Sequence, residues 1–191
     1  MSSRTIPLMA ALFVWGVLAS PPVRLAMESI MVTHALQIGL LAGIGGLLAR
    51  SMGPVRAGKL WGCNRYGITG TVLAFLTLAF WLLPVSLDRA LDHWSWEVGK
   101  FLSLPLLLGL PLARSWSRLS PIARGVLWAN AIPMAVVMGW LYREAPVRLC
   151  NNYLSDDQQL LGLALWMLAA LIAGYWAVRA FIGFQPADSG Q

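Results

Sequence analysis

Charged side chains are scarce in this sequence. They make up 12% of its 191 residues, whereas hydrophobic residues make up 58%. The mean hydropathy of +0.67 is well above that of soluble domains. This balance excludes an ordinary soluble domain and predicts an integral membrane protein. Because a spanning helix needs roughly 20 apolar residues, the chain has room for five or six such helices joined by short loops.

Catalytic motifs are missing as well. The sequence has no GxSxG, HExxH or P-loop pattern, and no GxGxxG followed by a ribose-binding acid. The two cysteines, Cys63 and Cys150, are far apart and form no CxxC pair, which argues against a disulfide or a metal site built from them. We therefore predict that the protein is not an enzyme.

Basic residues are neither gathered into a stripe nor interleaved with aromatic residues, although the formal net charge is +6. They are scattered over short loops, so nucleic acid is not an expected partner. The sequence also has no internal repeat, and its charges avoid the middle of the apolar runs. Both features argue against a secondary transporter, in which charged groups near the midplane are typical.

Long apolar runs are what the sequence does contain. Charge clusters and Pro/Gly clusters divide them into six candidate spans: Thr5–Ala19, Ser29–Ala49, Tyr66–Leu87, Trp94–Ala113, Ile122–Leu141 and Gln158–Phe181. The predicted fold is therefore all-α, a polytopic transmembrane bundle of about six helices. Residues 1–191 form a single integral membrane domain with its core bundle at residues 29–181.

The first span has two interpretations. Its basic start, short apolar stretch and Val17-x-Ala19 pair resemble a cleaved signal peptide. The turn "SPP" that follows equally suits a loop between two helices, so residues 1–20 are either a retained first helix, which we favour, or a signal peptide.

Lysine and arginine set the expected orientation. Nine basic residues fall on one side: Arg4, Arg50, Arg56, Lys59, Arg65, Arg114, Arg118, Arg124 and Arg179. With that side inside, both termini are cytoplasmic, and nearly all the acidic residues lie on the outer side. The first expected partner is the lipid bilayer that the bundle spans.

Soft metal ligands recur at helical spacing. Met27, Met31 and His34 have the i, i+4, i+7 spacing that places side chains on one helical face, and Met134 and Met138 repeat the i, i+4 spacing on the fifth span. Both groups fall in the outer half of the predicted bundle. Thioether and imidazole ligands favour copper, especially Cu(I). The sequence thus predicts a transient copper site, although such methionine pairs also serve as core filler.

Polar residues of the fourth span surround this predicted site. Lys100 lies about one turn inside the outer end of the span, and we expect it to extend outward to Glu97, Asp92 or the acids at 156 and 157. His93, where the span begins, is an outer neighbour of the ligands or a solvated loop residue. Pro105 and Pro111 are expected to distort this helix.

The last span begins with two carboxylates and two glutamines, "SDDQQ". Ser155 and Gln158 fit a capping box, and Asp156 and Asp157 complement the helix dipole. Carboxylates at the rim of a bundle with methionine and histidine could also attract a metal ion or tie helices together. Both interpretations stay open.

Three stretches, in order, resemble the CtaG family of cytochrome c oxidase assembly proteins. They are "MESIMVTHALQIGLLAGIGGLLA", "AFWLLPVSLDRAL" and "YLSDDQQLLGLALW", and order and spacing agree over roughly residues 27 to 180. The last is similar to the family's D-Q-x-x-G-x-x-x-W opening of a late helix, with Asp157, Gln158, Gly162 and Trp166 as matches, although three residues instead of two separate Gln158 from Gly162 here. The sequence departs from the family at Ile38, where a second histidine is common, and at Lys100, in a helix where histidines are usual.

The resemblance implies a polytopic bundle that helps to build haem–copper oxidases by delivering or inserting copper, with oxidase subunits as partners. Met27, Met31 and His34 would be ligands, with Met134 and Met138 as auxiliary ones. Asp157, Gln158, Lys100 and His93 would surround them. The alternative is a non-catalytic accessory or structural subunit of a respiratory membrane complex. A third interpretation is a b-type haem protein that uses His34 and one further ligand.

Overall fold

The structure, a computed structural model, describes residues 4–52, 64–144 and 152–183. Within these ranges the chain forms nine α-helices, one π-helical segment and no strand. The helices are α1 Thr5–Ala19, α2 Pro21–Glu28, α3 Met31–Ser51, α4 Ile68–Leu82, α5 Pro84–Asp92, α6 Trp94–Ser103, α7 Leu110–Trp116, α8 Pro121–Glu144 and α9 Ser155–Gly183, with the π-helical segment Leu104–Gly109 between α6 and α7. Cys63 and Cys150 lie outside the described residues.

Four of the helical stretches are long and apolar enough to cross a membrane: Met31–Ser51, Trp94–Trp116, Pro121–Glu144 and Ser155–Phe181. Two further spans are present if α1 with α2, and α4 with α5, each count as one. The predicted all-α transmembrane bundle is thereby confirmed, with four to six spans in the described part of the chain. The cytoplasmic location of the termini stays a prediction.

The chain bends sharply at two places, directly after the first predicted span and within the third. The axes of α1 and α2 differ by 68° at Ser20, and α4 and the chain from Val85 to Asp92 differ by 69°. Ser20 and Leu83 both have extended backbone, with ψ of 135° and 130°, and each precedes a proline. Proline disfavours a helical conformation in the residue before it but suits the first turn of the next helix. The predicted span Tyr66–Leu87 is therefore not one continuous helix, because it breaks at Leu83.

Proline also distorts the fourth span, as predicted. Pro105 lies in the π-helical segment, and Pro111 lies in the first turn of α7. A ring that supplies no N–H interrupts the regular ladder of hydrogen bonds. Gly45 of α3 and Gly109 of the π-helical segment lie at the contact between these two elements, where a Cβ atom at either position would overlap main-chain atoms of the other element.

The core has a larger and a smaller part. The larger cluster joins α1, α3, α4, α5 and α6, and Trp15 of α1 donates a hydrogen bond to the Phe101 carbonyl over 3.0 Å. The smaller cluster consists of Met31, Tyr142, Tyr153 and Leu161. It joins the start of α3 to the pair formed by α8 and α9.

Helices α8 and α9 pack closely along a seam of small and hydrogen-bonded residues. Gly139 and Gly162 face each other so closely that a Cβ on Gly162 would lie 2.6 Å from the Gly139 carbonyl oxygen. Gln158 donates to the Tyr142 carbonyl over 3.1 Å, and Trp166 donates to the Val136 carbonyl over 3.0 Å. These two helices are thus held together by three of the four residues matched to the family's late-helix motif: Gln158, Gly162 and Trp166.

Candidate functional site

A buried polar cluster lies where α2, α3 and α6 meet the residues just before α9. Its members are Glu28, His34, Gln37, Lys100 and Tyr153. His34 and Gln37 are one turn apart on α3, so they face the same direction. Glu28 ends α2, whose bend at Ser20 turns this amphipathic helix away from the direction of α1.

Lys100 is at the centre of this cluster and has no exposed surface. Its Nζ lies 2.5 Å from Glu28 Oε1, 3.0 Å from His34 Nε2 and 3.0 Å from Gln37 Oε1. An ammonium group has three N–H donors and no acceptor, so three acceptors match its capacity. A buried charge is costly unless it is paired and hydrogen-bonded, and here both conditions are met.

The lysine also determines the proton position on His34. Because the ammonium can only donate, His34 Nε2 accepts, and the ring proton of the neutral imidazole is therefore on Nδ1. Nδ1 lies 2.7 Å from the Tyr153 hydroxyl, which donates in turn to the Glu28 carbonyl oxygen over 3.0 Å. The hydrogen bonds form a closed ring that begins and ends at Glu28.

A second ion pair runs beside the first. Arg24 Nη1 lies 2.8 Å from Glu97 Oε2, and both partners are more exposed than Lys100. Arg24 and Glu28 are one turn apart on α2, as Glu97 and Lys100 are on α6, so the two pairs join the same two helices. The expectation that Lys100 extends outward to Glu97, Asp92 or the acids near 156 was wrong, because Glu28 is its partner.

Next to this cluster is an apolar cavity of about 290 Å³ between α3, α4, α5, α8 and α9. Met31, Met134 and Met138 all line it, together with Ile38, Tyr142 and Leu161. Met31 is 1% exposed, whereas Met134 is 60% exposed. The structure therefore brings together three of the five predicted copper ligands, from two different helices.

The other two predicted ligands lie elsewhere. Met27 is partly buried and packs against the larger core cluster. His34 uses both ring nitrogens inside the polar cluster, so neither points to the methionine cavity or is available to a haem iron. Among the described residues no group of three or more histidine, cysteine, aspartate or glutamate side chains could hold a metal ion.

The remaining predicted site residues lie at or near the starts of α6 and α9. His93 is exposed at the junction between α5 and α6, and Asp156 is exposed in the first turn of α9. Asp157 is half-buried, and Gln158 is buried against α8.

The polar cluster does not suit a copper ion, but the methionine cavity does. The cluster already contains a cation, and its one buried side-chain atom without a partner among the described residues is Gln37 Nε2, a donor that no metal ion would bind. The three thioethers of the cavity are soft ligands in apolar surroundings, which suits Cu(I). Glu28 and Tyr153 were missed from the sequence, although an acid six residues before an intramembrane histidine was the available signal.

No family model, curated protein or solved structure matches this chain. The resemblance to the CtaG family therefore depends on the three sequence motifs alone. The first motif supplies Glu28, His34 and Gln37, and the third supplies Tyr153. Residues that are more than 110 positions apart in the sequence thus meet in one buried cluster.

Proposed function

We propose that this protein is a non-enzymatic assembly factor of the CtaG-like type, which assists copper delivery or insertion into haem–copper oxidases of a bacterial inner membrane. The observation that carries the proposal is that Met31, Met134 and Met138 line one apolar cavity beside the buried polar cluster. The convergence of the first and third resembling stretches on that cluster supports it further.

In this proposal the three methionine thioethers hold Cu(I) transiently. Thioether sulfur is a soft ligand that binds Cu(I) without having to lose a proton. The polar cluster has a different role, because it fixes the start of α3, and therefore Met31, against α6 and the residues before α9. His34 is then a positioning residue for Met31 and not a copper ligand.

Cu(I) titration against a chromogenic competing chelator tests the ligand set. Met31→Leu and the double variant Met134→Leu/Met138→Leu keep the volume and apolar character of the cavity but remove the sulfur atoms. We expect each to bind Cu(I) at least about tenfold more weakly than wild type, since even the loss of a residue that only supports a ligand costs that much in many metal sites. Met167→Leu, at an exposed position of α9, is the matched control.

His34→Gln tests whether His34 is a copper ligand. We expect it to lower the midpoint of thermal unfolding and to weaken Cu(I) binding by the folded protein less than Met31→Leu does, because the ring nitrogens contact only protein atoms and all three sulfur ligands remain. Equal Cu(I) affinity in wild type and Met31→Leu would disprove the thioether site.

A second candidate function is favoured by Lys100. Because its ammonium group balances Glu28, the polar cluster is electroneutral with no metal ion. Such a cluster is sufficient for an accessory or structural subunit of a respiratory membrane complex, because that role needs no metal ion. Co-purification with oxidase subunits at fixed stoichiometry, together with a normal oxidase copper content in a strain that lacks the protein, would favour the accessory subunit over the assembly factor.

A further inference from the structure

A second cavity lies at the opposite end of α3 from the polar cluster. It has a volume of about 650 Å³ and lies between the last turns of α3 and the region around the end of α7. Two of the membrane spans, Met31–Ser51 and Trp94–Trp116, end at this cavity. It therefore lies where the hydrocarbon core of a bilayer gives way to lipid headgroups.

Three arginines line this cavity, which we call the arginine cavity: Arg50 at the end of α3, Arg114 on α7 and Arg118 just after α7. No aspartate or glutamate is among its described lining residues. Three guanidinium groups around one concave surface produce a positive potential that concentrates anions. The planar guanidinium group also matches the paired oxygens of a phosphate.

Backbone contacts hold two of these side chains in place. Arg114 Nη2 donates to the Met52 carbonyl oxygen over 2.9 Å, and Arg118 Nη1 donates to the Asn64 carbonyl oxygen over 2.9 Å. Asn64 is fixed in turn, because its amide donates to Ser115 Oγ over 2.9 Å. These two carbonyl oxygens are uncharged, so the two contacts orient the guanidinium groups without cancelling their charge.

Glycine residues leave the cavity open on the side formed by α3. Gly43 and Gly46 both line it, and a Cβ atom at either position would meet no other atom within 4 Å. A side chain there would extend into open space instead of into protein. The two glycines therefore leave the volume between the arginines and α3 accessible.

We propose that the arginine cavity binds the phosphodiester headgroup of an anionic glycerophospholipid from the surrounding leaflet. The charge, the volume and the location at the ends of two spans together favour such a ligand, because basic pockets between transmembrane helices bind acidic headgroups. The site is independent of the methionine cavity and of any role of copper.

Lipid binding by the full-length protein in a neutral detergent tests this site. Native mass spectrometry would measure binding of dioleoyl-phosphatidylglycerol and of zwitterionic dioleoyl-phosphatidylcholine. We expect phosphatidylglycerol to bind more tightly, and each Arg→Gln change at 50, 114 or 118 to weaken it about fivefold, so that the triple variant loses roughly 100-fold. Arg65→Gln, an exposed position outside the cavity lining, should bind as wild type does.

Gly46→Leu tests the volume without changing the charge. This variant should lose most of its phosphatidylglycerol binding while its thermal stability stays at the wild-type level, since the new side chain meets no protein atom near Cβ. It and Arg50→Gln keep the test valid if Arg114→Gln or Arg118→Gln fails to fold. Equal phosphatidylglycerol binding by wild type, Arg50→Gln and Gly46→Leu would overturn the proposal.

Competition with inorganic phosphate distinguishes a lipid headgroup from a free anion. Millimolar phosphate should displace little phosphatidylglycerol, because the lipid tails add apolar contacts beside the helices that free phosphate lacks. Complete displacement at that concentration would show that the cavity binds a free anion and would overturn the lipid assignment.

Discussion

At the scale of single residues, the environment of Lys100 differs most from the prediction. A lysine one turn inside a span commonly extends toward the headgroups. Lys100 is instead fully buried and donates a hydrogen bond to Glu28, which lies 72 positions earlier in the chain. Glu28 could not be identified as the partner from the sequence, because the segment that contains it has the polar composition of a loop. Only the bend at Ser20 turns Glu28 toward α6.

The buried ion pair leads to a double-variant prediction. Lys100→Met should lower the free energy of unfolding by about 3–5 kcal/mol, since it leaves the Glu28 carboxylate buried without its cation. Adding Glu28→Gln should recover a large part of that loss, because the uncompensated charge is then gone. Denaturation in mixed detergent micelles measures both variants.

Arg179→Met removes an exposed cation from α9 and is the control for this cycle. It should change the unfolding free energy by less than about 0.5 kcal/mol. Strictly additive effects of Lys100→Met and Glu28→Gln would contradict the pair, because contacting residues are expected to be coupled.

The ring of hydrogen bonds around His34 predicts its tautomer. The imidazole should be neutral with its proton on Nδ1, since Nε2 accepts from Lys100. Nitrogen-15 chemical shifts distinguish the two neutral tautomers, and the His93→Gln variant leaves His34 as the single histidine. A proton found on Nε2 would rule out the contact with the lysine ammonium.

At the scale of elements, the stretch from Asp157 to Trp166 joins α9 to α8. The sequence offered two interpretations of its polar start, a helix cap and a metal-attracting rim. The structure adds a third role, since Gln158, Gly162 and Trp166 all contact α8. Contacts between two helices leave no periodic signal within either segment, which is why this seam was not predicted.

Gly162 should be the most sensitive position of this seam. Gly162→Ala places a methyl group 2.6 Å from the Gly139 carbonyl oxygen, and the resulting strain should lower the unfolding free energy by about 1–3 kcal/mol. Gly174→Ala on the same helix has no neighbour within 4 Å and is the matched control. Thermal unfolding in detergent measures both, and equal shifts would contradict close packing at the seam.

At the scale of the whole molecule, hydrophobicity alone predicted most of the architecture. The bounds of α1 agree with the prediction, and those of α3 and the last two spans differ from it by only a few residues. Apolar length is a local property, so it can be counted along a sequence. The bends at Ser20 and Leu83 produced two short amphipathic helices that such counting missed, and α2 carries half of the buried ion pair.

The predicted orientation is testable with the two native cysteines. With both termini inside, Cys63 should be cytoplasmic and Cys150 outside. A membrane-impermeant maleimide added to intact spheroplasts should label Cys63→Ser, which keeps Cys150, and leave Cys150→Ser unlabelled. Labelling of both single-cysteine variants after permeabilisation controls for reactivity, and the reverse pattern would invert the topology.

The closed ring around Lys100 has a consequence for biogenesis. Glu28, His34 and Gln37 leave the ribosome before Lys100, so all three acceptors precede the cation that depends on them. The lysine of α6 therefore enters the bilayer beside a counter-ion that is already there, which lowers the cost of inserting a charged helix. Tyr153 is synthesised last and completes the ring. Vectorial synthesis thus delivers this charge pair in the order that spares the nascent chain an unpaired lysine.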